Sequence, residues 1–353
     1  MIASGAKAST FGPPGGNERG GRDVHFLKHL FHARRIRNRI IGCFERASRP
    51  SLSQAEKDRL LSFVVVGGGP TSCEFATELY DLLASDLAKA YPDLAHRATI
   101  SIIEAGSSIL STFDGALVNF YGKELERKGI LVRTQTAVTA VEPVVDGEVC
   151  NASAARLDNG ELLHFGLMVW SAGLAPVKFV ENLGLPLERS GRIAVDEYLR
   201  VRAMSGREFA IGDCAVNPDE PLPPLAQVAE QHGQYLSDTF NEHYASFDVD
   251  ATREGPPPPG PVRAPVGFPF PRSLFNTGAS FRFINVGAMA SMGAGGGIVD
   301  MSKADVADGK LAGIVALAVW RGGYLSKQGL KNMLLIPLHW LKTYLFGRDI
   351  TRF

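Results

Sequence analysis

The sequence predicts an α/β fold built on a parallel βαβ unit, and three stretches carry that prediction. FVVVGGGPTSCEFATE, from Phe63 to Glu78, runs from an apolar β-branched segment through a glycine triplet into a helical pattern. Gly67, Gly69 and Ser72 stand at the three glycine positions of a dinucleotide-binding turn. The first permits a tight turn, the second admits backbone close to a pyrophosphate, and the third lets the helix pack on the strand. A helix N-terminus with unpaired N–H groups then receives the phosphate charge. The competing reading is an ordinary glycine turn before a buried helix. TISIIE, from Thr99 to Glu104, is a second buried strand ending in an acid where the fingerprint expects a carboxylate for the adenosine ribose. Such a carboxylate accepts from a 2′-hydroxyl and repels a 2′-phosphate, which favours NADH over NADPH; a solvated acid at a strand end competes. Leu167 to Trp170 is a third buried strand, and Ser171-Ala172-Gly173 after it is small enough for a cofactor to lie against backbone.

The elements follow in order. Residues 1–21, glycine-rich and without an apolar core, read as a disordered leader rather than a secretory signal. Asp23 to Ala47 reads as one basic helix with Phe26, Leu30, Phe31, Ile36 and Ile40 on its apolar face. Pro50 and Ser51 break it, and a short helix runs through Leu60. Polar helical sequence through Tyr91 and His96 precedes Thr99. A helix over Gly115 to Lys128, a strand over Ile130 to Arg133 and a β meander over Val138 to Leu163 follow, with turns at Asp146-Gly147 and Asn159-Gly160. Beyond the crossover, Gly191 to Val201 reads as a short hairpin and Glu208 to Ala215 as a strand ending at Gly212-Asp213. Leu225 to Tyr244 reads as a long amphipathic helix, 255–265 as a proline-rich loop and Phe281 to Met292 as β structure. Leu311 to Phe346 carries two apolar patches broken by Arg321, Lys327 and Lys331.

Composition narrows the partners. Basic and acidic side chains number 37 each, so the formal charge is zero and nucleic acid is not expected as a partner. Cys43, Cys73, Cys150 and Cys214 form no CxxC or CxxxxC pair, so neither a zinc site nor a redox disulfide is suggested, and a reducing environment fits. No metal site is expected. No apolar run reaches the length of about eighteen residues that a spanning helix needs.

GGGPTSCEFATEL, LMVWSAGLAP, EFAIGDCA, LAQVAEQHGQYL and the terminal WLKTYLFGRDITRF together resemble the type II, or alternative, NADH:quinone oxidoreductases of mitochondria, particularly the fungal kind, over roughly residues 22 to 353. The resemblance implies a two-dinucleotide-binding-domain, Rossmann-like flavoprotein with a C-terminal amphipathic helical module at a membrane surface. On that pattern 22–60 is a remnant of the FAD domain, 61–170 the NADH-binding domain, 171–300 the second part of the FAD domain and 301–353 the membrane-surface module. It implies that Gly67 to Thr71, Ala172 and Gly173 hold NADH, with Glu104 on its ribose and Glu74 near the nicotinamide. Glu74 also reads as a first-turn acid favoured by the helix dipole. Gly212, Asp213, Ala226 and Gln227 are implied for FAD, although Asp213 also reads as a cap for the next element. Gln227 and Gln231, four apart on one helix face, are implied for the quinone site; as an isolated pair they read as solvated amides. His232 reads as a surface or helix-packing histidine.

The activity implied is non-electrogenic: hydride from NADH to FAD, then electrons to ubiquinone, at the mitochondrial inner membrane with the tail bound peripherally. Tail residues buried as a helix pair or in a homodimer contact are the alternative. The family's opening strand and FAD-binding GxGxxG turn find no match ahead of Gly67, and GPPGG at Gly12 to Gly16 does not replace them, since no apolar strand precedes it. The expectation is therefore a truncated member, a partial gene model or a diverged paralogue, with exposed core surface and doubtful FAD retention. A catalytically silent NADH-binding protein at a membrane surface is the rival reading, and another flavoprotein reductase a third, disfavoured by the missing CxxxxC.

Overall fold

The computed structural model describes residues 1–9, 23–143, 153–243, 280–348 and 350; the turn expected at Asp146-Gly147 and the proline-rich loop at 255–265 lie outside them. The chain divides into two compact units, the larger formed by Ala8–Gly173, Gly287–Lys303 and Ala307–Phe353, the smaller by Met1–Lys7, Leu174–Val286 and Ala304–Val306.

The larger unit is organised by a five-stranded sheet in the order Val24–Phe26, Leu167–Trp170, Ser62–Val66, Thr99–Ile103, Leu131–Arg133. All neighbours are parallel. A strand covered on both faces favours buried side chains at every position, which is why FVVV is wholly apolar and ISII admits only the small Ser101, itself buried. Phe63 and Val65 point into a core with Phe44, Ile102, Tyr121 and Leu125 beneath the helices. Val64 and Val66 point the opposite way, into a core shared with Trp170 and with Val138, Ala155, Leu157 and Phe165 of the meander. That meander consists of Val138–Pro143, Ser153–Leu157 and Leu162–Phe165, antiparallel throughout. Helix Gln54–Leu60 starts at a capping box, in which Ser53 accepts from the Glu56 amide and Glu56 accepts from the Ser53 amide. Ala288–Ser291, Gly297–Asp300 and Lys310–Gly313 make a three-stranded antiparallel sheet, from which helices Ile314–Ser326 and Leu330–Phe346 emerge.

Several expectations are corrected. Asp23 to Ala47 is not one helix: Val24–Phe26 is an edge strand paired with Met168–Trp170, and the helix spans Leu30–Ala47. Asp23 is pinned by Arg39 at 2.6 Å and by Ser153 at 2.8 Å, and Val24 and Phe26 enter the core with the two-residue period of a strand. Leu30 and Phe31, assigned to the apolar face, are exposed, whereas Ile36, Ile40, Ile41 and Phe44 are buried. Residues 23–60 and Gly287–Asp300 cluster with the five-stranded sheet in this unit. Phe281 to Met292 is strand only from Ala288.

The smaller unit packs Ile193, Val195, Val201, Phe209, Tyr235 and Leu236 together, with helix Ala226–His243 against short strands. Ile193–Ala194 pairs in parallel with Ala215–Val216, and Asp196 turns the chain so that Val195 faces Val201. The start of the chain is not a disordered leader over residues 1–9. Ile2 donates to the Phe209 carbonyl at 2.7 Å and accepts from the Ile211 amide at 3.0 Å, while Ala6–Ala8 pairs with Leu174–Pro176. These partners lie far along the chain, so local composition does not disclose them.

Candidate nucleotide and flavin sites

In the larger unit the glycine turn closes at the end of Ser62–Val66. Gly67 has φ +113°, a region that favours glycine, and a Cβ there would lie 3.0 Å from Ser72 Oγ and 3.1 Å from Ala172 Cβ. Its N–H donates to the Ile103 carbonyl at 2.8 Å, tying the turn to the neighbouring strand. Helix Pro70–Asp81 is capped by Gly69 with proline in its first turn, where the missing N–H is not needed. Gly69, Pro70 and Thr71 are exposed and space is open around Gly69, so the N-terminus of this twelve-residue helix presents free volume and a positive dipole end.

Glu104 is not a solvated acid. Its carboxylate accepts from the backbone N–H groups of Gly68 and Gly106, so it is clamped at the lip of the turn. A Cβ at Gly68 would stand 2.8 Å from Glu104 Cγ. Ala172 packs on Gly67, and Gly173 follows at φ +83°. Gly67, Gly68, Gly69, Pro70, Thr71, Glu104 and Ala172 are thus assembled at one mouth. The departure at Ser72 has a partner that sequence reasoning did not pair with it: Ser72 Oγ lies 2.7 Å from Ser171 Oγ.

Glu74, one turn into the helix, is half-buried and bonded to the C-terminal segment. Its Oε1 accepts the Ser291 N–H at 2.8 Å, with the Trp320 indole close by. Burial pushes its pKa above the ordinary carboxylate range against the lowering effect of the Ser291 N–H.

In the smaller unit, Gly212 turns at φ +69° in the Gly212–Cys214 turn, and a Cβ there would meet Ala229 Cβ at 3.3 Å. Its N–H donates to His232 Nδ1 at 3.1 Å. His232 is a buried packing residue, 5% exposed, set edge-on to Phe281 at 4.5 Å, and burial pushes its pKa down to about 4. Arg192, Gly212, Val228, His232, Phe281 and Phe283 line a cleft of about 460 Å³, part of it open to solvent. Ala226 is exposed and Gln227 half-buried at the start of the helix. Gln231 departs from expectation: it is buried, and its amide exchanges two hydrogen bonds with the Ile284 backbone, at 2.8 and 2.9 Å. Among the described residues, Cys43, Cys73 and Cys214 are buried and form no disulfide.

A parallel sheet with a glycine turn, an acid clamped at that turn and a second unit bearing a Gly-Asp turn is the pattern of the pyridine nucleotide-linked oxidoreductases. The family model described as pyridine nucleotide-disulphide oxidoreductase matches residues 1–233, and that of the NDH2 C-terminal domain matches residues 286–349. The chain is 37% identical to a probable NADH dehydrogenase of Dictyostelium discoideum, over 100% of this chain and 68% of the relative. It is 34% identical to an internal alternative NAD(P)H-ubiquinone oxidoreductase A1, mitochondrial, of Arabidopsis thaliana, over 100% of this chain and 64% of that protein. It is 31% identical to the external NADH-ubiquinone oxidoreductase 2, mitochondrial, of Saccharomyces cerevisiae, over 99% of this chain and 62% of that protein. The structure of NDH2 from Plasmodium falciparum in complex with NADH superposes with a TM-score of 0.78 at 22% identity, over 99% of this chain and 78% of that one. The chain belongs to the type II, or alternative, NADH dehydrogenase family, and spans about two thirds of the length of these curated relatives.

Proposed function

We propose that the chain is the nucleotide-binding and membrane-surface portion of an NADH:ubiquinone oxidoreductase. The observation that carries the reading is the mouth at Gly67–Thr71 with Glu104 clamped to the Gly68 N–H. The open helix N-terminus receives the pyrophosphate of NADH, and Glu104 takes the ribose hydroxyls while repelling a 2′-phosphate. Ala172 and Gly173 leave backbone accessible beside the turn.

The smaller unit suits the ribityl and phosphate stretch of FAD: a glycine at positive φ, the Asp213 carboxylate beside it, and the exposed first turn of an eighteen-residue helix at Ala226. When bound, FAD supplies the two-electron chemistry between NADH and a quinone. Gln227, half-buried near the helix start, is the neutral amide that serves the quinone oxygens. Gln231 acts behind it, holding the Ile284 backbone in place.

The tail serves the membrane surface. No helix of the described residues is long and apolar enough to cross a membrane. Leu334, Leu338, Leu341 and Leu345 are nevertheless all more than half exposed, and Tyr344 and Phe346 more so. Trp320 and Tyr324 stack at 5.7 Å and Arg321 covers Trp340, a mixture of aromatic and basic groups suited to a headgroup boundary. The mitochondrial names of the relatives support the inner membrane as the location, with the chain held peripherally.

Titration of the chain with NADH and with FAD, followed by assay of ubiquinone-analogue reduction in their presence, tests the reading. Saturable binding of both with NADH-driven quinone reduction is expected. Absence of NADH binding sinks it.

A further inference from the structure

Four acidic side chains run along one face of helix Pro70–Asp81 and the turn that continues it: Glu74, Glu78, Asp81 and Asp86. Steps of four and three keep Glu74, Glu78 and Asp81 on one helical stripe. The next place on that stripe is 85, but Leu82–Leu87 is a π-helical turn, and its one-residue expansion carries Asp86 onto it. Segments near the end of the chain meet every member. Ser291 N–H holds Glu74, with the Trp320 indole close by. Arg348 donates to Glu78 at 2.9 Å. Ala294 N–H reaches Asp81 at 2.6 Å, where Lys128 also pairs at 3.0 Å. Arg348 reaches Asp86 through its side chain at 3.2 Å and its backbone N–H at 3.0 Å. Ile350 packs against the same core. The helix that opens at the nucleotide mouth is therefore gripped along its length by the segment that carries the exposed apolar helices.

We propose that this acidic stripe couples nucleotide binding to the tail, with Arg348 as the positioning residue. The inference rests on the nucleotide reading above. A ligand on the N–H groups of Gly69 and Thr71 restrains the first turn of a rigid helix, and Glu78 and Asp86 further along hand that restraint to Arg348 of the tail. Ordering the helix once, by ligand or by tail, lowers the cost of the other event. Reciprocity requires that a docked tail raise nucleotide affinity by the same factor. Arg348 bridges two stripe carboxylates at once, which a lysine point charge cannot reproduce fully.

Amide hydrogen exchange of the full chain, without and with saturating NADH, reads this out in the wild type, Arg348→Ala and Arg348→Lys. NADH is expected to slow exchange at the Gly69 and Thr71 amides and also, by about five-fold, across Leu330–Phe346, the lower edge of ordinary coupling. Arg348→Ala should keep the first effect and lose the second, with Arg348→Lys between. Protection at the turn with none at the tail overturns the coupling and leaves the nucleotide reading standing. Protection at neither overturns both. If Arg348→Ala loosens Ser62–Val66 as well, Glu78→Gln decides: it removes one of the two carboxylate partners, and unchanged tail protection then overturns the coupling.

Discussion

Gln231 exchanges two hydrogen bonds with the backbone of Ile284, donating from Nε2 to the carbonyl at 2.8 Å and accepting at Oε1 from the N–H at 2.9 Å. Both partners are buried, so truncation leaves an unpaired donor and acceptor out of water. Gln231→Ala should destabilise the smaller unit by about 2 to 4 kcal/mol, seen as a lower denaturant midpoint. Gln227→Ala should leave that midpoint nearly unchanged and instead raise the quinone requirement while sparing NADH-driven flavin reduction. Equal stability losses in the two variants would show that their roles are not divided in this way.

His232 confers a pH dependence whose sign follows from its burial. Its pKa falls from 6.5 to about 4, so the fold favours the neutral ring that accepts the Gly212 N–H at Nδ1. A depressed folded-state pKa contributes stability that is fully present above 6.5 and lost as pH falls through about 4. The contribution is about 3 kcal/mol. His232→Gln should show a smaller loss of stability than wild type between pH 7.5 and pH 4, measured by denaturant unfolding. Parallel losses in the two proteins would remove His232 as the source.

The nucleotide half was legible in the sequence because its signals are local. Val64, Val65 and Val66 run straight into Gly67, and the acid at the end of Thr99–Ile103 follows from strand length alone. What escaped was non-local. Val24–Phe26 is a strand only because Met168–Trp170 lies beside it, and Ile2 is ordered only because Phe209 and Ile211 pair with it. Gln227 and Gln231 were correctly placed on one helix, yet a four-residue spacing cannot tell that Ile284 occupies one of them. The hydrogen bond between Glu74 and Ser291, far along the chain, is equally invisible to local sequence.

Glu104 and Gly68 form a second testable pair. Glu104 uses both oxygens on the amides of Gly68 and Gly106, and a glutamine can offer an acceptor to only one of them. Glu104→Gln should narrow the difference between NADH and NADPH binding by about 1 to 3 kcal/mol, the scale of a charged hydrogen bond. Gly68→Ala should weaken both nucleotides, because its Cβ would displace the Glu104 stem from 2.8 Å. Calorimetric dissociation constants check both, and an unchanged ratio in Glu104→Gln would take that residue out of the site.

The tail prediction rests on exposure. Leu334, Leu338, Leu341 and Leu345 follow one another at four, three and four residues, so they share a face of helix Leu330–Phe346, and each is more than half exposed. Replacing all four by serine should therefore cost the fold little. At a membrane surface a buried leucine contributes about 1.5 kcal/mol. Even half of that, over four positions, weakens partitioning by about a hundred-fold. The variant should stay in solution while wild type floats with anionic vesicles, and raised salt should weaken wild-type flotation through Lys331 and Lys342. Undiminished flotation of the variant would overturn the membrane reading of this face. Unchanged vesicle binding joined to loss of a dimer in sedimentation would assign the face to a second copy of the chain.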